Sequence, residues 1–235
     1  QHSIVDLLVA TAENLSKHAK PYFTAEFGGA AGAAPLANLR ADFHAGIWSN
    51  AMTVNAMAPM LWWFDYIDHK NLYSEFMPLA KFVEDWDPRD KELKTIHTGI
   101  LNKEEKGKPD RPVRAVLLHM DKTAVNGWVY DTKAALVWPS QDAMPTHSKL
   151  KLTLSGLTDG EFHVEFWSTA TGEILRSTTV TVKDENTALV LPDFSIDLAF
   201  KLRATTNHQI RFDHTRTVGL LNICVRNQIN HQAHD

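Results

Sequence analysis

The chain has 235 residues, 44% hydrophobic and 22% charged, with a formal net charge of −4. This is an ordinary globular composition, long enough for two domains. Slight acidity without a basic cluster argues against a nucleic-acid partner, and no apolar run approaches the roughly 20 residues that cross a bilayer.

The single cysteine, Cys224, excludes an internal disulfide. The sequence starts at Gln1 with no signal peptide, which reads as a processed or truncated N-terminus and leaves export open. Histidines are scattered. His231 and His234 could share a helix face, but no third ligand stands nearby, so no metal site is expected.

In chain order, Ser3 and Asp6 fit a capping box, and Ile4, Leu7, Leu8, Thr11 and Leu15 follow at helical spacing. That helix should end before Pro21, because the residue preceding a proline resists helical geometry. Residues 21–27 then read as a buried strand delivering Glu26 to its C-terminal end, with Gly28 and Gly29 after it. In α/β folds the chemistry collects at such ends; the bland alternative is a surface Glu at the start of a loop. Small residues occupy 28–40, and a second helix is expected from about Leu39 to Asn55. A second strand, apolar on both faces, spans Ala58–Phe64 and runs into Asp65, Tyr66 and Asp68. A third helix follows from about Leu72 to Asp85. Right-handed crossovers would make the two strands parallel neighbours.

Beyond Asp87-Pro88 the pattern changes. Residues 102–111 are charged and contain Gly107 and Pro109, marking a linker. From Pro112 the period becomes two. Strands are expected at 113–119, 124–130, 150–155, 161–168, 173–176, 178–183, 188–191 and 198–203, with turn signals that include Asn126-Gly127 (a turn or a bulge) and Asp159-Gly160. This spacing indicates an antiparallel sandwich. Phe162, Val164 and Phe166 should face one side, and His163, Glu165 and Trp167 the other. Residues 204–235 are expected to form a poorly packed tail.

Several segments in order carry a family resemblance. The stretch Lys20-Pro21-Tyr22-Phe23-Thr24-Ala25-Glu26-Phe27-Gly28 resembles the seventh barrel strand of glycoside hydrolase family 5 and its relatives. His44-Ala45-Gly46-Ile47-Trp48 is similar to the helix after it, and Pro59-Met60-Leu61-Trp62-Trp63-Phe64-Asp65 to the eighth strand. Gly156-Leu157-Thr158-Asp159-Gly160, Glu165-Phe166-Trp167 and Asp197-Leu198-Ala199-Phe200-Lys201 resemble the small sandwich appended to bacterial members.

The resemblance implies a fold of α/β plus all-β type. Residues 1–101 would be the C-terminal remnant of a (β/α)8 barrel, about two strand–helix units. Residues 102–111 would be the linker and 112–203 the sandwich. It further implies a fragment of a retaining glycosidase acting on β-linked polysaccharide or oligosaccharide. Glu26 would be the nucleophile, Trp62 or Trp63 the floor under the sugar, and Asp65, Tyr66 and His2 further substrate contacts. His44 and Trp48 read as structural. The general acid, on the family's fourth strand, has no counterpart here, so the fragment itself is expected to be inactive. No cofactor is implied, since two carboxyl groups suffice for this chemistry. The full-length parent would be secreted or periplasmic; oligomeric state is not readable. The competing reading is a non-catalytic sandwich that binds carbohydrate or a partner, for which an exposed row of Trp128, Trp138 and Trp167 would be the sign.

Overall fold

A computed structural model describes residues 3–18, 20, 22–28, 35–55, 59–100, 112–140 and 145–205. His2, the expected linker at 102–111, residues 206–235 of the expected tail and the His231–His234 pair lie outside the described residues.

Helix α1 (Ile4–Leu15) buries Ile4, Val5, Leu8, Val9 and Ala12, the stripe that its spacing of apolar residues requires. The expected capping box does not form. Ser3 stands at the N-cap without a side-chain hydrogen bond. Asp6 instead accepts a hydrogen bond from Arg114 Nη1 at 3.1 Å and lies 3.6 Å from His97 Nδ1. A charged partner across the seam has displaced the local cap.

Strands β1 (Glu26–Phe27) and β2 (Met60–Leu61) pair in parallel, as the alternation of helices and strands predicts. Both are far shorter than the expected 21–27 and 58–64. Among the described residues no third strand joins them, and a parallel pair without neighbours holds little backbone extended. Helix α2 (Leu36–Ala51) connects the two. After β2 the chain turns at Trp63, whose carbonyl accepts the Tyr66 N–H at 3.0 Å, into the short helix α3 (Phe64–His69). The expected third helix is divided into a 3₁₀ segment, Leu72–Phe76, and α4 (Met77–Val83). Pro78 sits in the first turn of α4, where its missing N–H costs nothing.

The second half is dominated by a six-stranded antiparallel sheet in the order β3-β4-β5-β10-β7-β8. Its strands are β3 (Leu93–Gly99), β4 (Val113–Met120), β5 (Ala124–Asp131), β7 (Gly160–Trp167), β8 (Ile174–Val182) and β10 (Asp197–Ala204). A second, two-stranded sheet joins β6 (Lys151–Ser155) to β9 (Asn186–Val190). Three expectations are corrected. The segments 173–176 and 178–183 form one continuous strand, β8. Asn126-Gly127 is neither turn nor bulge but mid-strand in β5, paired without interruption to β4 and β10. Gly127 is there because the Phe200 ring lies over it: a Cβ at this position would stand 2.1 Å from Phe200 Cε1. Finally, the sheet begins inside the expected barrel remnant, since β3 forms its edge and pairs with β4 from Leu93 to Gly99.

Each face of the large sheet has its own core. Val113, Ala115, Leu117, Phe162, Val164, Phe166 and Phe200 pack against Leu152, Leu154 and Leu189 of the small sheet, closing a sandwich. His163, Glu165 and Trp167 point the other way, as the alternation predicts. On the opposite face Val116, Leu118, Trp128 and Tyr130 share one cluster with Val5, Phe27, Trp48, Leu61 and Phe82 from the helical half. Residues up to Thr205 therefore form one unit. The chain combines an α/β portion with an antiparallel β portion across a common sheet, and a boundary between residues 101 and 112 does not divide the core.

Candidate active site

The site grows from the anchoring of β1 and β2. Phe27 and Leu61 point inward and are buried, while Glu26 and Met60, their neighbours one residue earlier, point outward. The parallel register pairs Glu26 with Met60 and Phe27 with Leu61. Met60 N–H donates to the Ala25 carbonyl at 3.0 Å, and Trp62 N–H to the Phe27 carbonyl at 2.7 Å. The ladder thus carries on to Trp62, which is 56% exposed. Gly28 lies beside it: a Cβ on Gly28 would sit 3.3 Å from Trp62 Cβ. By alternation Glu26, Gly28, Met60 and Trp62 fall on the open side of the pair, and the Trp63 ring also borders Gly28, its Cδ1 3.7 Å from where a Cβ would stand.

The other predicted residues are distributed differently. Trp63 is half-buried against the helical core, and its Nε1 is buried without a hydrogen-bond partner among the described residues. Asp65 and Tyr66 do not terminate a strand, as the sequence suggested. They lie in the first turn of α3, Asp65 exposed and Tyr66 packed against the core. His44 and Trp48 are buried, in keeping with a structural role. Glu26 forms no hydrogen bond or ion pair among the described residues. Nor is there, among those residues, a group of three or more His, Cys, Asp or Glu side chains arranged to hold a metal.

The sandwich tryptophans do not form an exposed row. Trp128 is 1% exposed and stacks on Tyr130 with ring centroids 4.4 Å apart. Trp138 packs against His44, with Arg40 over its ring at 4.7 Å. Trp167 packs against Phe82, and the buried Lys201 ammonium lies 4.4 Å from its ring centre. Lys201 also pairs with Asp85, which ties the end of the helical half to β10. This aromatic surface joins the two halves and is not offered to a ligand.

Polar groups that escaped the sequence reading gather between α2 and the sheet. Asp197 accepts hydrogen bonds from Trp128 Nε1 at 2.7 Å, from His44 Nε2 at 2.6 Å and from the Thr169 hydroxyl. Because a carboxylate only accepts, Nε2 must carry the proton. A small cavity lined by Ala41, His44, Ala45, Tyr130, Trp138 and Asp197 adjoins the cluster. Nearby, Asp131 meets His147 at 2.8 Å and caps the N–H groups of Lys133 and Ala134. Burial pushes the Asp131 carboxyl up, but those hydrogen bonds outweigh it and hold the group below the usual range. Partners as far apart as His44 and Asp197 leave no local signal. The hint available was a histidine within a helix whose run from Phe43 to Asn50 is buried all round.

His119 is buried and His97 partly buried, each at a cost. Burial lowers the pKa of His97 and of His119 below 6.5; His119 Nε2 has no partner among the described residues, and Lys94 opposes its protonation. The folded state therefore binds fewer protons than the unfolded state between the lowered values and 6.5, and stability must rise with pH there. Urea midpoints are expected to fall as pH drops from about 7 to about 5. His119→Leu should flatten that slope, and an unchanged slope would show that His119 is not its source.

No family model matches the chain, and no curated protein matches it. A solved structure described as "Glycoside hydrolase" aligns with it at a TM-score of 0.49 and 10% identity, covering 87% of this chain and 47% of that one. The chain thus spans about half the length of the structure it matches.

Proposed function

We propose that this chain is the C-terminal part of a retaining glycoside hydrolase acting on a β-linked polysaccharide or oligosaccharide, with Glu26 as its nucleophile and Trp62 as the floor of its sugar site. The observation that carries the reading is the register of the parallel pair, which sets a carboxylate without a partner among the described residues and the exposed Trp62 on one open side. The resemblance of both strands to the last two strands of family 5 barrels supports it. In this chemistry the carboxylate attacks the anomeric carbon as a second carboxyl, about 5–5.5 Å away, protonates the departing oxygen. Water then releases the sugar from the glycosyl-enzyme. The indole face suits the C–H face of a pyranose. Gly28 leaves room beside both tryptophans, because a side chain there would press on Trp62 Cβ and lie against the Trp63 ring. Asp65, on the first turn of α3, could reach a sugar hydroxyl; Trp63 and Tyr66 serve as packing. His2 keeps its proposed place as a further substrate contact.

The proton donor belongs to an earlier part of the parent enzyme, so these 235 residues alone are expected to turn over no glycoside. In the parent, Glu26→Ala should lower turnover by about 10⁴-fold or more, as removing a group that forms the covalent intermediate does. A 2-fluoro glycoside with an activated leaving group should label the peptide containing Glu26, as read by mass spectrometry. Label on another carboxylate, or turnover retained without Glu26, would overturn the assignment.

A further inference from the structure

We propose that Asp197, on the first residue of β10, is a positioning residue for the strand that presents Glu26, acting through His44 and helix α2. The inference rests on the glycosidase reading only for the use to which that strand is put. The path is continuous in space. Asp197 holds His44 Nε2 at 2.6 Å, with Trp128 Nε1 and the Thr169 hydroxyl completing its hydrogen bonds. His44 lies in the stretch of α2 from Phe43 to Asn50, which is buried all round, so the helix meets the sheet on one side and Phe27 on another. Gly46, two residues along the same helix, receives the Phe27 ring so closely that a Cβ would stand 2.0 Å from Phe27 Cε2. Phe27 is the inward-facing neighbour of Glu26, and its carbonyl holds Trp62 N–H at 2.7 Å.

The parallel pair has two residues on each side and, among the described residues, no flanking strand. So short a ladder cannot set its own orientation, and its inward side chains must do so. Phe27 seats on α2, and α2 is fixed in rotation where His44 is held by a carboxylate of the sheet. Asp197 and His44 are nearly fully buried, at 5% and 7% side-chain exposure, so neither can exchange its partner for water without moving the helix. In this arrangement the β portion of the chain acts as the jig for the side of β1 and β2 that carries Glu26, which the helices alone would leave loosely set.

Hydrogen–deuterium exchange on the full chain tests the link, because it reads backbone amides whatever chemistry Glu26 performs. Asp197→Asn should raise exchange about tenfold at residues 23–28 and 60–62, with less than about a twofold change in β4. His44→Ala should reproduce the effect, and His44→Gln, whose amide still donates to Asp197, should restore protection. Unchanged exchange at residues 23–28 would overturn the proposal, and so would an equal rise in every peptide. If Asp197→Asn does not fold, Thr169→Val removes one donor only and should give a smaller rise confined to the same peptides; none there would also overturn it. Labelling of Glu26 and exchange of its strand are separate readouts, so either reading can fail without the other.

Discussion

Residues 112–205, expressed without the helices and β3, are expected not to fold cooperatively, although the sequence presents them as a module. The large sheet has two apolar faces, and the small sheet covers one. The other face carries Val116, Leu118, Trp128 and Tyr130, which are buried only because α1, α2 and α4 lie on them. Trp and Tyr side chains bury about 150–250 Å² each. At about 25 cal/mol per Å² these two alone account for roughly 7–13 kcal/mol. That is comparable with the whole stability of a typical domain, about 5–15 kcal/mol. Removing β3 also strips β4 of its outer partner along Leu93–Gly99, leaving an unpaired apolar edge. The truncated piece should show dye-accessible apolar surface and no sharp thermal transition, whereas residues 1–205 should melt in one step. A cooperative transition of the truncated piece near the midpoint of the longer chain would show that the sandwich stands alone.

Gly46→Ala is expected to destabilise the chain by about 1–3 kcal/mol, the usual cost of overpacking a filled core. In an exposed helix the same change would stabilise by up to about 1 kcal/mol, since alanine is the better helix former. The sign reverses because the new Cβ would meet Phe27 Cε2 at 2.0 Å and Cζ at 2.2 Å, distances that force ring or helix to move. For a chain of this size the melting temperature should fall by about 2–4 °C for each kcal/mol. Phe27→Leu should be costly alone yet partly relieve the Gly46→Ala variant, giving a favourable coupling in a double-mutant cycle. Additive effects would mean that ring and helix do not confront each other. The sheet contains a counterpart in Gly127 beneath Phe200, where the distance is 2.1 Å.

Much of the architecture was legible from residue order. Phe162, Val164 and Phe166 alternate with His163, Glu165 and Trp167, and a period of two has no other economical reading. The stripe of α1 was equally plain, and the alternation of helix and strand pointed to parallel pairing of the segments around Glu26 and Met60. Three features were not legible. Strand β3, which contains Lys94, Thr95, His97 and Thr98, is too polar to announce itself and is held by its pairing with β4. Gly127 has the local signature of a turn, and only the Phe200 ring above it explains why it lies mid-strand. Which way Trp62 and Trp63 turn depended on register, which the strand's uniformly apolar run does not encode.

Sequence by itself determined which residues repel water, with what period, and hence that helices precede an antiparallel sheet; the strand it placed at 21–27 with Glu26 at its end is instead a two-residue strand that Glu26 opens. Tertiary structure alone decided that the two halves share one sheet, that Trp62 stands on the side of Glu26, and that Asp197 gathers His44, Trp128 and Thr169. The reason is physical: periodicity records which side of an element must be covered, whereas the partner that covers it is set by chain closure over more than a hundred residues.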